Sequence, residues 1–407
     1  MVTVADRVGL TVRAVTGSPT PIRIHAWDGS VTGPAVGPAA VLRSRRAIRR
    51  MVYRPGELGL ADAYIAGDLD VDGDLTEALE ALRSVVRHRP DTPIRPGAAR
   101  WLNVALAAVR LGALGPPPRR AAHPIRTTGR RHSRSRDSAV IAHHYDLPPA
   151  FYELLLDDSM AYSCAYFAEP SQSLADAQRA KLDLICRKLE LHTGSTLLDI
   201  GCGWGSLACH AARHFGTTVT AVTLSAEQAA YLTRRVDVEG LSSAVTVWRA
   251  DYRELTDVSG FDAVTSVEMG EHVGDREYPG FADLLCRALR PGGLALVQQM
   301  SRTGIAPDGG PFIRTWIAPD MHMKPLATTV GLLAAAGLEI RGVQALREHY
   351  TWTIDAWAAN LERHWDRAVS LLGEDVCRVW RLYLAGSALA FTPGRMGVDQ
   401  ILAVRSG

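Results

Sequence analysis

The stretch that decides the fold is Thr196-Leu197-Leu198-Asp199-Ile200-Gly201-Cys202-Gly203-Trp204-Gly205. An apolar run reaches an acidic residue, three glycines follow at every second position, and apolar residues then return at helical spacing over 207–212. This order is typical of a buried parallel strand, a tight turn and the start of a helix. Glycines let a backbone approach a ligand closely, and a helix start offers unpaired N–H groups. The stretch therefore predicts a site for a nucleotide-like ligand.

Predicted strands and helices alternate around this stretch. The sequence predicts helices at 148–156, 171–191, 225–239, 278–289 and 326–337, strands at 218–223, 245–249, 261–267 and 294–299, an irregular insertion at 304–325 and a mostly helical segment at 356–390. Alternating strands and helices imply a parallel sheet that binds its ligand at the carboxyl ends of the strands. We therefore expect an α/β fold.

Composition divides the chain into three parts. Residues 1–111, with β-like alternation at 10–15 and 22–27 followed by helical stretches, predict a small α+β domain. Residues 112–137 contain Pro116-Pro117-Pro118 and a run of arginines, which is typical of a basic linker. Residues 138–407 form the larger α/β domain in this interpretation.

Bulk composition indicates a globular protein. The chain has 407 residues, of which 47% are hydrophobic and 22% charged, and its net charge is +2. It contains neither a run of 18 apolar residues nor an amino-terminal signal pattern, so we expect a cytoplasmic location. Its six cysteines include no Cys-x-x-Cys pair, which favours reduced core thiols, and we assign no metal.

Arginines are concentrated in two blocks. They are Arg43, Arg45, Arg46, Arg49, Arg50 and Arg54 in the first block, and Arg119, Arg120, Arg126, Arg130, Arg131, Arg134 and Arg136 in the second. Such blocks suit an anionic partner, either lipid headgroups or nucleic acid. The alternative is that each block is a solvated face without a partner.

The glycine spacing disfavours a nicotinamide dinucleotide. Such sites have Gly-x-Gly-x-x-Gly and an acid after the second strand, whereas here the third glycine comes one residue early and Val222-Thr223-Leu224-Ser225 contains no acid. Asp-x-Gly-x-Gly-x-Gly, Ala250-Asp251-Tyr252 and Pro291-Gly292-Gly293 together form the pattern of a class I S-adenosylmethionine methyltransferase. We therefore expect a Rossmann-like, seven-stranded sheet with S-adenosylmethionine as its cofactor.

In this interpretation the backbone from Gly201 to Gly205, Cys202 included, lies under the methionine and ribose parts of the cofactor. Asp251 is placed to accept a hydrogen bond from the adenine amino group, although a helix N-cap is its alternative role. Gln228, one helical turn into the following helix, takes the place of the missing acid at the ribose.

Residues 143–302 resemble the cyclopropane-fatty-acyl-phospholipid synthase family, which includes mycolic acid cyclopropane synthases and related methyltransferases of unsaturated fatty acids. The matching motifs are His144-Tyr145-Asp146-Leu147, Tyr162-Ser163-Cys164-Ala165-Tyr166-Phe167, Ala177-Gln178-x-Ala180-Lys181, Leu198 to Gly205, Thr223-Leu224-Ser225-x-x-Gln228 and Glu271-His272-Val273-Gly274. Weaker similarity extends towards both ends of the chain.

The resemblance implies methyl transfer from S-adenosylmethionine to a cis double bond of an acyl chain, usually within a phospholipid. It implies that Tyr162, Ser163, Gly201, Gly203, Thr223, Leu224, Gln228 and Tyr252 line the cofactor site. It also implies a bound bicarbonate as the base, with Glu271, Cys164 and Tyr350 among its holders. Residues 138–407 would be the catalytic domain with helical insertions over the substrate, and residues 1–111 would contact lipid or another copy of the chain.

An alkene is a weak nucleophile, so this chemistry depends on positioning and electrostatics. The carbocation formed in the acyl chain must be kept from water, and aromatic faces tolerate it. Candidates are Tyr166, Phe167, Tyr350, Trp352 and Trp357, for each of which ordinary core packing is the alternative.

The sequence departs from the cyclopropane pattern at the base. Gln298-Gln299-Met300 stands where the family has His-x-Ile, and Glu268 adds a second acid three residues before Glu271, where many cyclopropane synthases have glycine. Two carboxylates this close raise one of the two pKa values, which makes a base supplied by the protein conceivable. The alternative is that Glu268 contacts the cofactor or a solvated loop.

These departures favour a methylene-forming fatty-acyl methyltransferase, with a cyclopropane synthase as the alternative. A methylene product needs a separate reductase to become a methyl branch, and this sequence has no second nucleotide motif for that step. We expect an unsaturated phospholipid as substrate and a peripheral location at the anionic inner membrane face.

A homo-oligomer is left open, as are more remote alternatives: an RNA or small-molecule methyltransferase, and a lipid-binding module without turnover. The motifs at 162–167 and 271–274 have no purpose in RNA binding, so we expect no nucleic acid.

Overall fold

The computed structural model describes residues 2–87, 106–113, 115–120, 124–125, 128–137, 140, 147–303 and 309–407. Residues 144–146 of the first family motif and Arg126 of the second arginine block lie outside the described residues. The chain divides into two compact units, Met1–Pro124 with Leu372–Leu389, and Ile125–Leu371 with Ala390–Gly407.

The amino-terminal unit contains a small mixed sheet. Its elements are α1 (Val4–Thr16), β1 (Arg23–His25), β2 (Val31–Thr32), β3 (Ala39–Leu42), α2 (Arg45–Tyr53), α3 (Glu57–Ile65), β4 (Leu69–Asp72) and α4 (Leu75–Arg87). The strand order is β2-β1-β3-β4, with β1 and β3 parallel and the other two pairs antiparallel. Val8, Ile24, Leu42 and Ile48 are buried in its core.

The strand predicted at 10–15 is wrong, because these residues lie in helix α1. The side chain of Thr3 accepts a hydrogen bond from Asp6 N, and the Asp6 carboxylate accepts one from Thr3 N, which together form a capping box. Gly17 ends the helix in the left-handed conformation. These end signals outweigh the alternation of apolar residues between them.

Ion pairs neutralise much of the first arginine block. Arg46 and Arg50 both contact the carboxylate of Asp68, at 2.9 and 2.8 Å. Two more pairs, Arg43 with Asp70 and Arg54 with Asp62, hold arginines of the block to the same unit. The block therefore has a structural role in this unit.

The second unit contains the large sheet. Its elements are α5 (Pro149–Leu155), α6 (Leu174–Lys188), β5 (Thr196–Ile200), α7 (Ser206–Phe215), β6 (Thr218–Thr223), α8 (Ala226–Val238), β7 (Val245–Arg249), β8 (Phe261–Val267), α9 (Tyr278–Ala288), β9 (Leu289–Arg302), α10 (Gly310–Trp316), α11 (Leu326–Ala335), β10 (Leu338–Ala345), α12 (Arg347–Arg363), α13 (Trp365–Leu372) and β11 (Met396–Arg405). The helix Glu374–Phe391, here α14, belongs mainly to the first unit.

The seven strands are ordered β10-β11-β9-β8-β5-β6-β7, and β5 to β9 run parallel while β11 is antiparallel to both of its neighbours. This confirms the predicted α/β class and the seven-stranded sheet. Two details differ: β9 extends well beyond the predicted 294–299, and the insertion predicted as irregular contains helix α10.

Helices cover both faces of the sheet. On one face Leu198 and Ile200 pack with Tyr278, Phe281 and Leu285 of α9. On the other face Leu197 packs with residues of α6, α7 and α8, among them Ile185, Leu207 and Leu232. The central strand β5 therefore buries apolar side chains on both faces, whereas the edge strand β7 is mostly exposed. Among the described residues, none of the helices is both long and apolar enough to cross a bilayer.

Candidate active site

A cavity opens at the carboxyl ends of β5, β6, β7 and β8, where an α/β sheet of this kind binds its ligand. Ten of the eleven predicted cofactor residues line it: Tyr162, Ser163, Gly201, Cys202, Gly203, Thr223, Leu224, Gln228, Asp251 and Tyr252. Its floor is the turn after β5, where Gly201 and Gly203 have φ of 83° and 55°. Because Gly201 and Gly203 have no Cβ, a ligand can approach the backbone of this turn closely. The cavity-lining residues therefore fit an S-adenosylmethionine molecule.

Gly205 has a different role from the one predicted for it. It is not among the residues that line the cavity, and a Cβ at this position would lie 2.0 Å from Cδ1 of the buried Leu232. Its φ of 84° also belongs to the left-handed region. Gly205 therefore allows the start of α7 to pack closely against α8.

Two side chains expected at the ribose and adenine are held by neighbours. The Thr223 hydroxyl donates to Gln228 Oε1 at 2.7 Å. Asp251 accepts from the backbone N–H of Arg253 and from its guanidinium, with Nε 2.8 Å and Nη2 2.6 Å away. Asp251 is thus the N-cap that the sequence left as an alternative, and it still faces the cavity. Arg253 fixes the orientation of this carboxylate.

Lys181 is a cavity residue to which the sequence assigned no role. It is 1% exposed, and its Nζ donates to the Ser163 hydroxyl at 2.8 Å. Burial lowers the pKa of this amine, while the carboxylates of Glu268 and Asp199 act in the opposite direction. The sequence did contain a signal for this buried position, because Lys181 lies among apolar positions of α6 such as Ala177 and Leu182.

Glu268 lies directly after β8 and lines the cavity. One carboxylate oxygen accepts from Cys164 N at 2.7 Å and from Gln298 Nε2 at 3.0 Å, and the other accepts from the Tyr350 hydroxyl at 2.8 Å. Burial raises the pKa of Glu268, while these hydrogen bonds and the charge of Lys181 lower it. Three donors therefore favour the ionised form of a buried carboxylate.

The backbone at Glu268 is unusual, with φ of 51° in a residue that is not glycine. L-residues adopt this region at a cost of about 1–2 kcal/mol. Its N–H donates to Gln298 O at 2.6 Å, which continues the pairing of β8 with β9 by one residue. This strained conformation orients the carboxylate towards Cys164 and Tyr350.

Glu271 is buried behind Glu268, in the short 3₁₀ helix Gly270–His272, and is 1% exposed. Within the described part of the chain, no side chain donates a hydrogen bond to its carboxylate, and the backbone N–H groups of Glu271 and Met300 lower its pKa only in part. Burial and the nearby charge of Glu268 raise its pKa well above the ordinary value. Of the two acids, Glu268 is the one whose hydrogen-bond donors favour the ionised form, and Glu271 is the one whose surroundings favour the neutral form more strongly.

The predicted bicarbonate holders do not leave a separate anion site. The N–H of Cys164 and the hydroxyl of Tyr350 both donate to Glu268. The Cys164 thiol is fully buried, and burial raises its pKa well above the ordinary value. Cys164 therefore contributes its backbone donor, and these residues do not fit a bicarbonate ion while the Glu268 carboxylate occupies them.

Aromatic rings extend from this carboxylate towards the cavity. The rings of Tyr350 and Trp357 are 6.1 Å apart, and those of Trp357 and Tyr162 are 5.2 Å apart. Phe167 and Trp352 pack together in a separate apolar cluster. Of the five aromatic candidates, Trp357 is thus in ring contact with the cavity residue Tyr162, and Tyr350 is connected to Tyr162 through Trp357.

Comparisons with known proteins agree with this geometry. A model of the family described as "Mycolic acid cyclopropane synthetase" matches residues 132–401. A protein named probable fatty acid methyltransferase from Pseudomonas putida is 36% identical over 95% of this chain and 92% of its own length. One named tuberculostearic acid methyltransferase from Mycobacterium tuberculosis is 32% identical over 96% of this chain and 90% of its own.

Solved structures show the same similarity. The cyclopropane synthase MmaA2 from Mycobacterium tuberculosis is 30% identical, with a TM-score of 0.62 over 66% of this chain and 98% of its own. A mycolic acid cyclopropane synthase solved with SAH and CTAB is 31% identical, with a TM-score of 0.62 over 66% of this chain and 98% of its own.

Proposed function

Because the chain belongs to the mycolic acid cyclopropane synthetase family and is an S-adenosylmethionine-dependent methyltransferase, we propose that it methylates the cis double bond of unsaturated fatty acyl chains. We further propose that Glu268 is the base and that the product is a methylene-fatty acyl chain. The names of the relatives, which refer to fatty acids, support the substrate class. The observation that carries the proposal is the carboxylate of Glu268 in the cavity wall, which accepts three hydrogen bonds.

When bound, S-adenosylmethionine supplies an electrophilic methyl group. The glycine turn, Gln228 and Asp251 would hold it, and the ring of Tyr162, with Trp357 packed against it, would keep water from the alkene and face the positive charge that develops on it. Attack by the alkene places the new methyl on one olefinic carbon and leaves the cation on its neighbour. One proton must then leave, and Glu268, a cavity-wall carboxylate held by three hydrogen-bond donors, is the proposed acceptor.

The timing of proton loss decides the product. If a hydride first moves from the methylated carbon to the neighbouring cation, the charge comes to lie beside the new methyl, and loss of a methyl proton to Glu268 gives an exocyclic methylene. If the methyl proton leaves before that shift, the ring closes and a cyclopropane forms. Glu268 is part of the chain, whereas a bicarbonate ion would exchange with solvent, and this difference supports the hydride shift and the methylene product. The relative named for tuberculostearic acid supports the same product.

The cyclopropane product is the second candidate, and the solved cyclopropane synthases at 30% and 31% identity favour it. A methylene product requires a separate reductase to become a methyl branch.

We propose a phospholipid in an anionic membrane as the form of the substrate. The ion pairs of Arg46 and Arg50 with Asp68 leave less free charge in the first block for such a surface.

Isotopic labelling tests the product. The purified protein is incubated with S-adenosylmethionine and vesicles of dioleoyl phosphatidylglycerol whose olefinic hydrogens are deuterium, and the acyl chains are analysed by mass spectrometry before and after ozonolysis. The proposal predicts that ozone cleaves the product to a ketone and that one deuterium has moved to the neighbouring carbon. A product that resists ozone and retains one deuterium on each original carbon would establish the cyclopropane, and absence of any methylated acyl chain would contradict the substrate class.

A further inference from the structure

Three glutamines lie in register across adjacent strands and lead to Glu268. Gln344 of β10 is opposite Gln400 of β11, and Gln400 is opposite Gln298 of β9. Gln298 in turn pairs with Val267, the last residue of β8, which Glu268 follows. Residues opposite each other in register place their side chains on the same face of the sheet. A row of amides therefore crosses the sheet and ends at the carboxylate.

Hydrogen bonds connect this row from end to end. Lys188 Nζ, at the end of α6, donates to Gln400 Oε1 at 2.7 Å and to Gln344 Oε1 at 2.6 Å. Gln400 Nε2 donates to Gln298 Oε1 at 2.9 Å. Gln298 Nε2 then donates to Glu268 at 3.0 Å and to the carbonyl oxygen of Cys164 at 3.3 Å. Gln298 and Gln400 are 0% and 1% exposed, so water does not compete for these bonds.

The direction of every bond follows from the lysine. An ammonium group only donates, so Gln400 must present its oxygen to Lys188 and its nitrogen to Gln298. Gln298 must then accept from Gln400 through Oε1, and only its nitrogen is left for Glu268. If Gln298 were reversed, its oxygen would face both the Glu268 carboxylate and the Cys164 carbonyl, and it could hydrogen-bond Glu268 only when that acid is protonated.

We infer that Lys188 and Gln400 are positioning residues that orient Gln298 as a donor and thereby keep Glu268 ionised for proton abstraction. This inference rests on the proposed role of Glu268 as the base. The other titratable groups around that carboxylate are Lys181 of α6, Glu271 of the 3₁₀ helix, Cys164 and Tyr350 of α12. None of them is changed by the variants below.

The decisive variant is Gln400→Glu. A glutamate at this position keeps a partner for Lys188 as an ion pair, so folding is retained, but its carboxylate cannot donate to Gln298 Oε1. Gln298 then turns its amide to donate to the new carboxylate and presents its oxygen to Glu268. Lys188→Met provides a second variant, in which the donor that sets the direction of the row is absent. Arg187→Met is the matched control, because it removes a neighbouring charge whose side chain is 74% exposed.

The measurement is the pH dependence of kcat/KM for methyl transfer to dioleoyl phosphatidylglycerol vesicles, with melting temperatures recorded in parallel. We expect the acid limb of Gln400→Glu and Lys188→Met to move up by about one pH unit, the size expected for loss of a hydrogen bond to the charged form, while Arg187→Met is unchanged. A merely structural role would change the melting temperature without moving this limb. Gln400→Met removes the amide that donates to Gln298 without changing the charge, and it should move the limb as well; a shift confined to the two charge-changing variants would be a Coulomb effect and would overturn the inference. Unchanged limbs in both variants would overturn the inference, and if Glu268→Gln were inactive in the same assay, the proposed base would still stand.

Discussion

Replacing Glu268 by glutamine is expected to lower kcat for methyl transfer by roughly 100- to 10,000-fold, the range associated with loss of a general base. The substitution keeps the size of the side chain and a carbonyl oxygen for the donors of Cys164 and Tyr350, but it removes the group that accepts the proton. Because burial raises the pKa of Glu268, wild-type activity should fall as the pH drops through a value above the ordinary 4.5, since the protonated acid cannot act as a base.

Binding of S-adenosylhomocysteine separates this effect from damage to the cofactor site. That molecule lacks the positive sulfonium, so its affinity for Glu268→Gln should equal that for the wild type. Glu153→Gln, which neutralises an exposed glutamate of α5, is the matched control and should retain full activity. A Glu268→Gln protein that turns over at a rate close to that of the wild type would eliminate this residue as the base.

Replacing Gly205 by alanine is expected to lower the free energy of unfolding by about 2–5 kcal/mol, the sum of a left-handed alanine and an overpacked core. The new Cβ would lie 2.0 Å from Leu232 Cδ1, and that side chain is 0% exposed. Because Leu232 is packed in the core, we expect the start of α7 to shift, and the turn that holds the cofactor to shift with it. We also expect much weaker binding of S-adenosylhomocysteine, measured by calorimetry beside denaturant unfolding.

Gly203→Ala is the matched control for stability. Its φ of 55° is also left-handed, but the nearest atom to an added Cβ is Gln228 Nε2 at 4.0 Å. This variant should lose only about 1–2 kcal/mol, the cost of the backbone conformation alone. Equal losses of stability in the two variants would show that contact with Leu232 is not the reason for glycine at position 205.

Most of the large sheet could be predicted because its parallel strands are short runs rich in apolar and β-branched residues that alternate with helices. The strands at 218–223, 245–249 and 261–267 begin and end where the sequence predicted. Helix α1 was missed because its apolar residues alternate over 10–15, and its capping box and Gly17, which lie outside that window, decide the structure. Tertiary context and end signals therefore limited the prediction more than the apolar pattern did.

The cofactor floor was predictable because its residues are contiguous in sequence. The sequence also assigned Cys164, Gln298 and Tyr350 to the site of the base, but not their hydrogen bonds to Glu268, because these residues lie 104, 30 and 82 positions away from it. The row from Lys188 through Gln400 depends on the register of β9, β10 and β11, which a sequence pattern does not determine. Gly205 was assigned to the cofactor site because the spacing of glycines does not distinguish a glycine that contacts a ligand from one that allows a neighbouring helix to pack closely.

The most direct measurement is the dependence on small anions of the wild type and of Glu268→Gly. Glycine suits the φ of 51° at this position, and its lack of a side chain leaves the Cys164 N–H, the Gln298 amide and the Tyr350 hydroxyl without their acceptor. We predict that the wild type turns over equally well with and without dissolved bicarbonate, whereas Glu268→Gly is inactive without it and recovers about tenfold or more on addition of bicarbonate or formate. Loss of wild-type activity on removal of bicarbonate, or full activity of Glu268→Gly without any added anion, would contradict a base built into the chain.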